Sequence, residues 1–359
     1  MMARIWGHSN VLKKKMTNRT ILFLIFFFHI FSSKAQTGNS DETNILFYNV
    51  ENLFDTKDDP STEDDDLTPS GDMHWTSKRL KLKLNKTSKV ILSAAGWNVP
   101  DIVALAEVEN RWVVEQLLKS TPLKSVPYRI IHKESPDHRG LDVVILYNED
   151  HFYPLEYHYY PLISKENEVV DTREILYVSG IVNGADTLHL FVNHWPSRYS
   201  GLLESKPLRL SAARLLKSKT VELFEKYESP KIIIVGDFND NPTDESISEI
   251  LEAKIVTEEP NKNELYNLSA NWMNNGRGTL KYQSQWDVFD QIIVSGALLN
   301  TDSGLNTLEK NANIIQLPFL FEEDAKFGDK KPYRTYSGFT YLGGFSDHLP
   351  VMLKLYNAN

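Results

Sequence analysis

The sequence contains no cysteine among its 359 residues. That absence excludes structural disulfides, thiolate metal sites, cysteine nucleophiles and a lipid-modified cysteine behind a signal peptide. A basic excess is also missing, since the formal net charge is -9. Proteins that coat nucleic acid through many phosphate contacts carry a net basic surface, so any such contact here is local or bridged by cations. No His-Glu-x-x-His spacing occurs. Without cysteine or clustered histidines, a zinc site is disfavoured. No apolar run reaches the ~20 residues of a comfortable membrane span.

The longest apolar run, Ile21 to Phe31, reads instead as an address. Asn18-Arg19 precede it, and Ser33-Lys34-Ala35 offer small residues where a signal peptidase reads. The pattern predicts a cleaved secretory signal over 1–35, with Met16 as an alternative start and an uncleaved membrane anchor as the competing reading. A polar linker over 36–43 and one catalytic domain over 44–356 follow. Export would make this a secreted or periplasmic protein, and no motif implies a stable protein partner, so a monomer is expected.

Hydrophobic patterning predicts buried strands at Ile45–Val50, Asp101–Ala106, Leu141–Tyr147, Thr187–Asn193, Lys231–Gly236, Val288–Val294 and Leu349–Leu355. Leu80, Leu84, Thr87 and Ile91 recur at helical spacing, with Gly96 as the cap. Further helices are expected at Arg111–Leu118, Pro207–Tyr227 and, briefly, Ser246–Leu251. The acidic stretch over 55–75 lacks the alternating ligands of a calcium loop and reads as solvated. Alternating strands and helices without repeat or internal linker indicate an α/β or α+β layered domain with mixed sheets.

Polar residues stand where the apolar runs stop. Asn49 ends the first strand and Glu51 follows by two; Glu107 ends the second. His194 ends the strand before it, Asp237 and Asn239 end Lys231–Gly236, and Asp347-His348 precede the last strand. Groups at strand ends can share a cleft where loops meet and water enters. That inventory suits a hard cation such as magnesium, which takes one or two carboxylates and keeps waters and phosphate oxygens. A metal would polarise a phosphoryl oxygen while a carboxylate takes a proton from water. Asp237 and Asn239, at i and i+2, would leave their strand pointing the same way. Taken singly, each has a plainer reading as a turn or cap residue.

Together the motifs resemble the endonuclease/exonuclease/phosphatase superfamily. The stretches that carry the resemblance are Phe47–Asp55, Pro100–Glu109, Arg139–Tyr147, Phe191–Pro196, Val235–Asp240, Phe289–Ser295 and Phe345–Val351. Gly236-Asp-Phe-Asn239 and Ser346-Asp-His-Leu-Pro-Val351 are the most specific. The resemblance implies a four-layer α/β/β/α sandwich of two mixed sheets. It implies Glu107 as main ligand of Mg2+ (Mn2+ or Ca2+ as alternatives), supported by Asn49, with Glu51 as a second acidic ligand and Asp347 completing the site. Asp237 would activate water, with Asn239 holding it. His194 would face the leaving group, and His348, oriented by Asp290 rather than Asp287, would stabilise the transition state. Arg139 and Arg198 are candidate clamps for a substrate phosphate. The implied substrate is a phosphodiester, with nucleic acid favoured and an extracellular endonuclease expected. A sphingomyelinase-like or inositol-phosphate hydrolase is the alternative, for which Tyr157–Tyr160 is the single aromatic cluster resembling a membrane hairpin. A catalytically inactive binding module is the non-enzyme alternative.

Overall fold

The computed structural model describes residues 42–164, 168–184, 186–199, 201–300 and 304–358, all within the compact unit Asp41–Asn359. The expected signal and most of the linker lie outside the described residues. Strand β1 (Glu42–Leu53) begins inside the stretch expected to be linker.

Two parallel strand pairs organise the domain. In the first, β1 runs through helix α1 (Ser77–Ala94) into β2 (Ile102–Val108). Helix α2 (Arg111–Ser120), β3 (Tyr128–His132) and β4 (Asp142–Asn148) follow. The chain then enters a second sheet through β5 (Phe152–Tyr160), β6 (Ile175–Val182) and β7 (Asp186–His194). Helix α3 (Leu202–Lys226) carries β7 into the parallel strand β8 (Lys231–Asp237), the second such pair. Strands β9 (Leu265–Asn267) and β10 (Asp290–Ser295) complete that sheet in the order β5-β6-β7-β8-β10-β9. The chain returns to the first sheet through β11 (Gly304–Asn306), β12 (Ala312–Ile314) and β13 (Val351–Ala358). Its order is β11-β13-β1-β2-β4-β3, with β12 also on β13.

Alternation along the strands explains why the sheets stack. Ile233 and Val235 join Leu190, Val192, Ile292 and Leu353 in the core that spans both sheets. Their neighbours Ile232 and Ile234 turn to the other face, onto Ala212, Ala213 and Leu216 of α3. A strand covered on both faces must be apolar throughout, which is why Lys231–Gly236 reads as an unbroken run. On the first sheet, Leu80, Leu84 and Ile91 of α1 and Val113 and Leu117 of α2 supply the covering helices. The result is the four-layer arrangement.

Some expectations shift. Ser246–Ile250 is a single π-helical turn rather than a short α-helix. Helix α3 starts five residues before Pro207, after Gly201 at φ 113. The aromatic residues Tyr157–Tyr160 are not a hairpin tip. They lie within edge strand β5, where His158 and Tyr160 pack on Tyr177 of β6. Pro154 lies where the β5–β6 register shifts, in keeping with proline's confinement to edges and bulges.

Candidate active site

The two parallel pairs end at the same place, and their antiparallel neighbours begin there. Asn49 lies near the end of β1, Glu107 near the end of β2, His194 ends β7 and Asp237 ends β8. Asp290 opens β10 directly opposite Asp237, and His348 stands just before β13, the antiparallel partner of β1. Open α/β sheets bind ligands outside the carboxyl ends of their parallel strands. Here two sheets contribute such ends to one cleft.

The backbone bends to aim these groups. The β2–β4 register slips between Ala106 and Val108, leaving Glu107 on a bulge at φ 63. Glu51, Asn52 and Asn239 also have left-handed backbone, at φ 51, 53 and 51. Each such non-glycine residue costs about 1–3 kcal/mol and persists only where its surroundings hold it. The holding bonds are visible. The Asn52 amide donates to Glu107 Oε2 at 3.0 Å. The Asn49 side-chain amide donates to Glu107 Oε1 at 3.1 Å and to Asp237 Oδ2 at 3.0 Å, tying the sheets together.

The two histidines flank Asp237 in opposite charge states. His348 Nδ1 lies 2.7 Å from Asp290 Oδ2, and its Nε2 lies 3.7 Å from Asp237 Oδ2. Burial disfavours the imidazolium, but Asp290 and then Asp237 outweigh it and hold the ring well above the usual histidine range. His194 Nε2 lies 3.8 Å from Glu107 Oε1 and 3.7 Å from Asp237 Oδ2. Burial, with Arg173 and Arg139 adding to it, pushes His194 far below that range. One ring is therefore cationic and the other neutral at pH 7. The 3.7–3.8 Å gaps are too wide for direct hydrogen bonds and suit an interposed oxygen. Burial also lifts Asp237 to about 6, near the pH at which a general base works best.

Other expected residues fall into distinct places. Glu51 is buried and raised to about 7 by burial, with Asp347 adding to it. Asp347 sits at the rim, where Arg334 donates to its Oδ2 at 2.8 Å. Asp290, not Asp287, faces His348; Asp287 accepts from Asn241. Strand alternation does not carry past Asp237. The Asn239 amide donates to Asp237 Oδ1 at 2.9 Å, and its side-chain nitrogen donates to the Trp195 carbonyl at 3.0 Å. Arg139 keeps part of its guanidinium exposed, 3.7 Å from Asp137 Oδ1. Arg198 departs from the expected clamp. It donates to the Asn239 carbonyl at 2.6 Å, Asp240 at 2.8 Å and Asp244 at 2.6 Å, and lies over the Phe289 ring. Its hydrogen bonds all brace the 239–244 loop.

Three residues escaped the sequence reading. Arg173 lies buried beneath the site, donating to Asp137 and to the Trp195 carbonyl. Lys83 of α1 is buried and donates to Thr335 Oγ1 at 2.5 Å and to the Phe345 carbonyl at 2.7 Å. Its position on the stripe of Leu80, Leu84 and Thr87 was the available signal. Arg334 lies in an irregular loop and gave none.

A divalent ion fits this donor set. Glu107 is fixed by two amide donors while its side chain stays partly exposed, and the neighbouring carboxylates offer hard oxygens. Among the described residues no three His, Asp or Glu side chains close into a ready-made cage. Magnesium, which keeps waters and takes substrate oxygens, needs none.

The family model of the endonuclease/exonuclease/phosphatase family matches residues 44–357. No curated protein sequence matches the chain. Among solved structures, an endonuclease/exonuclease/phosphatase from Bacteroides vulgatus aligns with TM-score 0.53 at 12% identity, over 88% of this chain and 99% of its own. The human Nocturnin catalytic domain with bound sulfate anion gives 0.51 at 15%, over 88% and 95%. D. rerio TDP2 complexed with single strand DNA product gives 0.50 at 15%, over 88% and 98%. At these identities the likeness speaks for the fold. With the family model spanning nearly all the described residues, the chain belongs to the endonuclease/exonuclease/phosphatase family.

Proposed function

We propose that this chain is a metal-dependent phosphodiesterase that acts on nucleic acid as an endonuclease after export. The family's members are phosphoesterases and are typically dependent on a divalent metal. The observation that carries the catalytic reading is Asp237, a buried carboxylate poised near neutrality between a cationic and a neutral histidine.

Each group has a task that its surroundings permit. Asp237 accepts the proton of the attacking water, and Asn239 restrains its Oδ1 through the backbone amide. His348 presents Nε2–H and a positive charge to a phosphoryl oxygen, with Asp290 fixing the tautomer from behind. His194, being neutral, acts as a hydrogen-bond donor toward the leaving oxygen rather than as a strong acid. Glu107, supported by Asn49 and Asp347, would hold Mg2+, which when bound draws charge from the phosphoryl group.

Nucleic acid is favoured by helix α1. Between Ser77 and Ala94 it carries Lys78, Arg79, Lys81, Lys83, Lys86 and Lys89 and no acidic residue. Lys78, Lys81 and Lys89 are exposed along one face and span ~17 Å at 1.5 Å per residue. In a chain of net charge -9 this is a local basic track, tied to the site through Lys83. Leu82 is the one exposed large apolar residue of the helix, so the face lacks what membrane insertion needs. The TDP2 structure holds a DNA product, in line with this preference.

The test is an activity panel with magnesium and EDTA: supercoiled plasmid, RNA, sphingomyelin, phosphoinositides and a chromogenic phosphodiester. Magnesium-dependent plasmid nicking is expected. Asp237→Asn and His348→Ala should each lose about 10³-fold while keeping wild-type circular dichroism. Hydrolysis of sphingomyelin with intact plasmid would overturn the substrate reading, and full activity in both variants would overturn the mechanism. Export predicts mature protein in periplasm or medium beginning at Gln36.

A further inference from the structure

The Glu51–Asp347 side of the site already contains a cation belonging to the protein. Arg334 Nη2 donates to Asp347 Oδ2 at 2.8 Å, and Arg334 Nε lies 3.6 Å from Glu51 Oε1. That Nε is buried and has no hydrogen-bond partner. The guanidinium therefore lies between two carboxylates, one from β1 and one from the loop before β13.

Glu51 is occupied in a second way. The Thr335 amide donates to its Oε2 at 2.5 Å and the Tyr336 amide to its Oε1 at 3.3 Å. Both oxygens serve the loop that carries Arg334. That loop is closed on itself as well. The Gly344 amide donates to the Arg334 carbonyl, and the Leu342 amide donates to the Thr335 carbonyl. A Cβ on Gly344 would fall 2.0 Å from the Tyr333 carbonyl and 2.3 Å from that of Arg334, so only glycine lets the two arms of the loop meet. Buried Lys83 fastens the same loop to α1 through Thr335 and Phe345. Arg334 is thus pinned by its backbone beside the carboxylates, unlike a free surface arginine.

Glu107 is in a different situation. Its two donors are single amides from Asn49 and Asn52, and it retains oxygen lone pairs toward the cleft. Among the described residues no lysine or arginine donates to Glu107, and the neutral His194 lies 3.8 Å from its Oε1. An ion placed between Glu51 and Asp347 would meet the guanidinium directly, like charge against like charge beside the buried Glu51.

We infer that Arg334 takes the seat that a second divalent cation would need. The site then binds one divalent ion, at Glu107, while Glu51 anchors the loop and is not a ligand. This rests on the metal reading given above. Arg334 is a positioning and charge-balancing residue here, so its test reads binding as well as rate.

Mn2+ is titrated into the metal-free protein and free ion is counted by electron paramagnetic resonance. One ion per wild-type chain is expected, one for Arg334→Lys and two for Arg334→Met. Glu51→Gln should keep Mn2+ affinity within about threefold while the 333–345 loop becomes easier to cleave by protease. Glu107→Gln should lose more than about tenfold. Two ions in the wild type, one ion in a folded Arg334→Met, or a tenfold affinity loss in Glu51→Gln each overturn the inference. If Arg334→Met does not fold, the wild-type count and Glu51→Gln decide. No ion bound by the wild type overturns the metal reading and this inference together, whereas two ions overturn the inference alone.

Discussion

Replacing Asp290 by Asn isolates the charge that keeps His348 cationic. The two side chains meet at 2.7 Å, and Asp290 is fully buried. Asparagine preserves shape and can still accept from Nδ1, so packing changes little. The lost quantity is electrostatic. Two unit charges with centres about 4 Å apart attract by about 4 kcal/mol at an effective dielectric of 20. That energy changes the ratio of imidazolium to imidazole by about a thousandfold. Burial, which already opposes the charged ring, is then opposed by Asp237 and, more weakly, by Asp347. Asp237 needs to be ionised for the same turnover, and it is lifted to about 6. The wild-type rate should therefore rise through an acid limb at or below about pH 6, because a bound cation favours the ionised carboxylate. It should then stay level across neutrality while His348 remains charged. In Asp290→Asn the alkaline limb moves down into the neutral range. At pH 7.5, kcat/KM should fall about tenfold and further as pH rises, with the optimum displaced toward pH 6. The assay is the pH profile of chromogenic phosphodiester hydrolysis, paired with imidazole titration by NMR. A variant within threefold of wild type at pH 7.5, or an unmoved alkaline limb, would refute a cationic His348.

Lys83→Met should lower unfolding free energy in urea by about 3 kcal/mol, because it removes a buried cation and strips donors from Thr335 and Phe345; a loss under 1 kcal/mol would show that the strap is unimportant. Glu109, raised by burial from 4.5 to about 8, folds most readily as the neutral acid. Its stabilising contribution is complete below about pH 4.5 and is lost as pH rises through about 8, so Glu109→Gln should match wild type near pH 5 and exceed it at pH 9 by urea midpoint. Arg198→Lys should lower kcat while leaving KM nearly unchanged, since Arg198 braces the loop after Asp237; a tenfold rise in KM alone would return it to the role of phosphate clamp. Replacing Lys78, Lys81 and Lys89 by Ala should flatten the salt dependence of plasmid cleavage by about 0.9 per lysine and leave the chromogenic ester unaffected.

The sequence made the interior strands legible because burial on both faces writes itself as an unbroken apolar run, as in Lys231–Gly236. Residues at the ends of such runs, Glu107, His194 and Asp237, were found for the same reason. Helix α1 showed through its spacing. Strand β5 did not, because it is a half-exposed edge with Pro154 at a bulge and its pattern resembles a loop; the buried β6, whose apolar run is broken by Ser179-Gly180, was missed as well. The left-handed backbone at Glu107 leaves no propensity signal, since tertiary hydrogen bonds impose it. Partners far apart in sequence, such as Asn49 with Asp237 or Arg334 with Glu51, become visible only when the two sheets and the last loop are placed.

The division of the site between the sheets has a kinetic consequence. Asn49, Glu107, Asp347 and His348 belong to the sheet formed by the first and last parts of the chain, whereas His194, Asp237 and Asp290 belong to the sheet formed by the middle. Neither half holds both a base and a cationic histidine. A refolding intermediate with a single finished sheet is inert, however complete its secondary structure. Recovery of turnover during refolding should therefore lag behind recovery of far-ultraviolet ellipticity and coincide with closure of the Asn49–Asp237 hydrogen bond. Regain of turnover would then report the docking of one sheet onto the other.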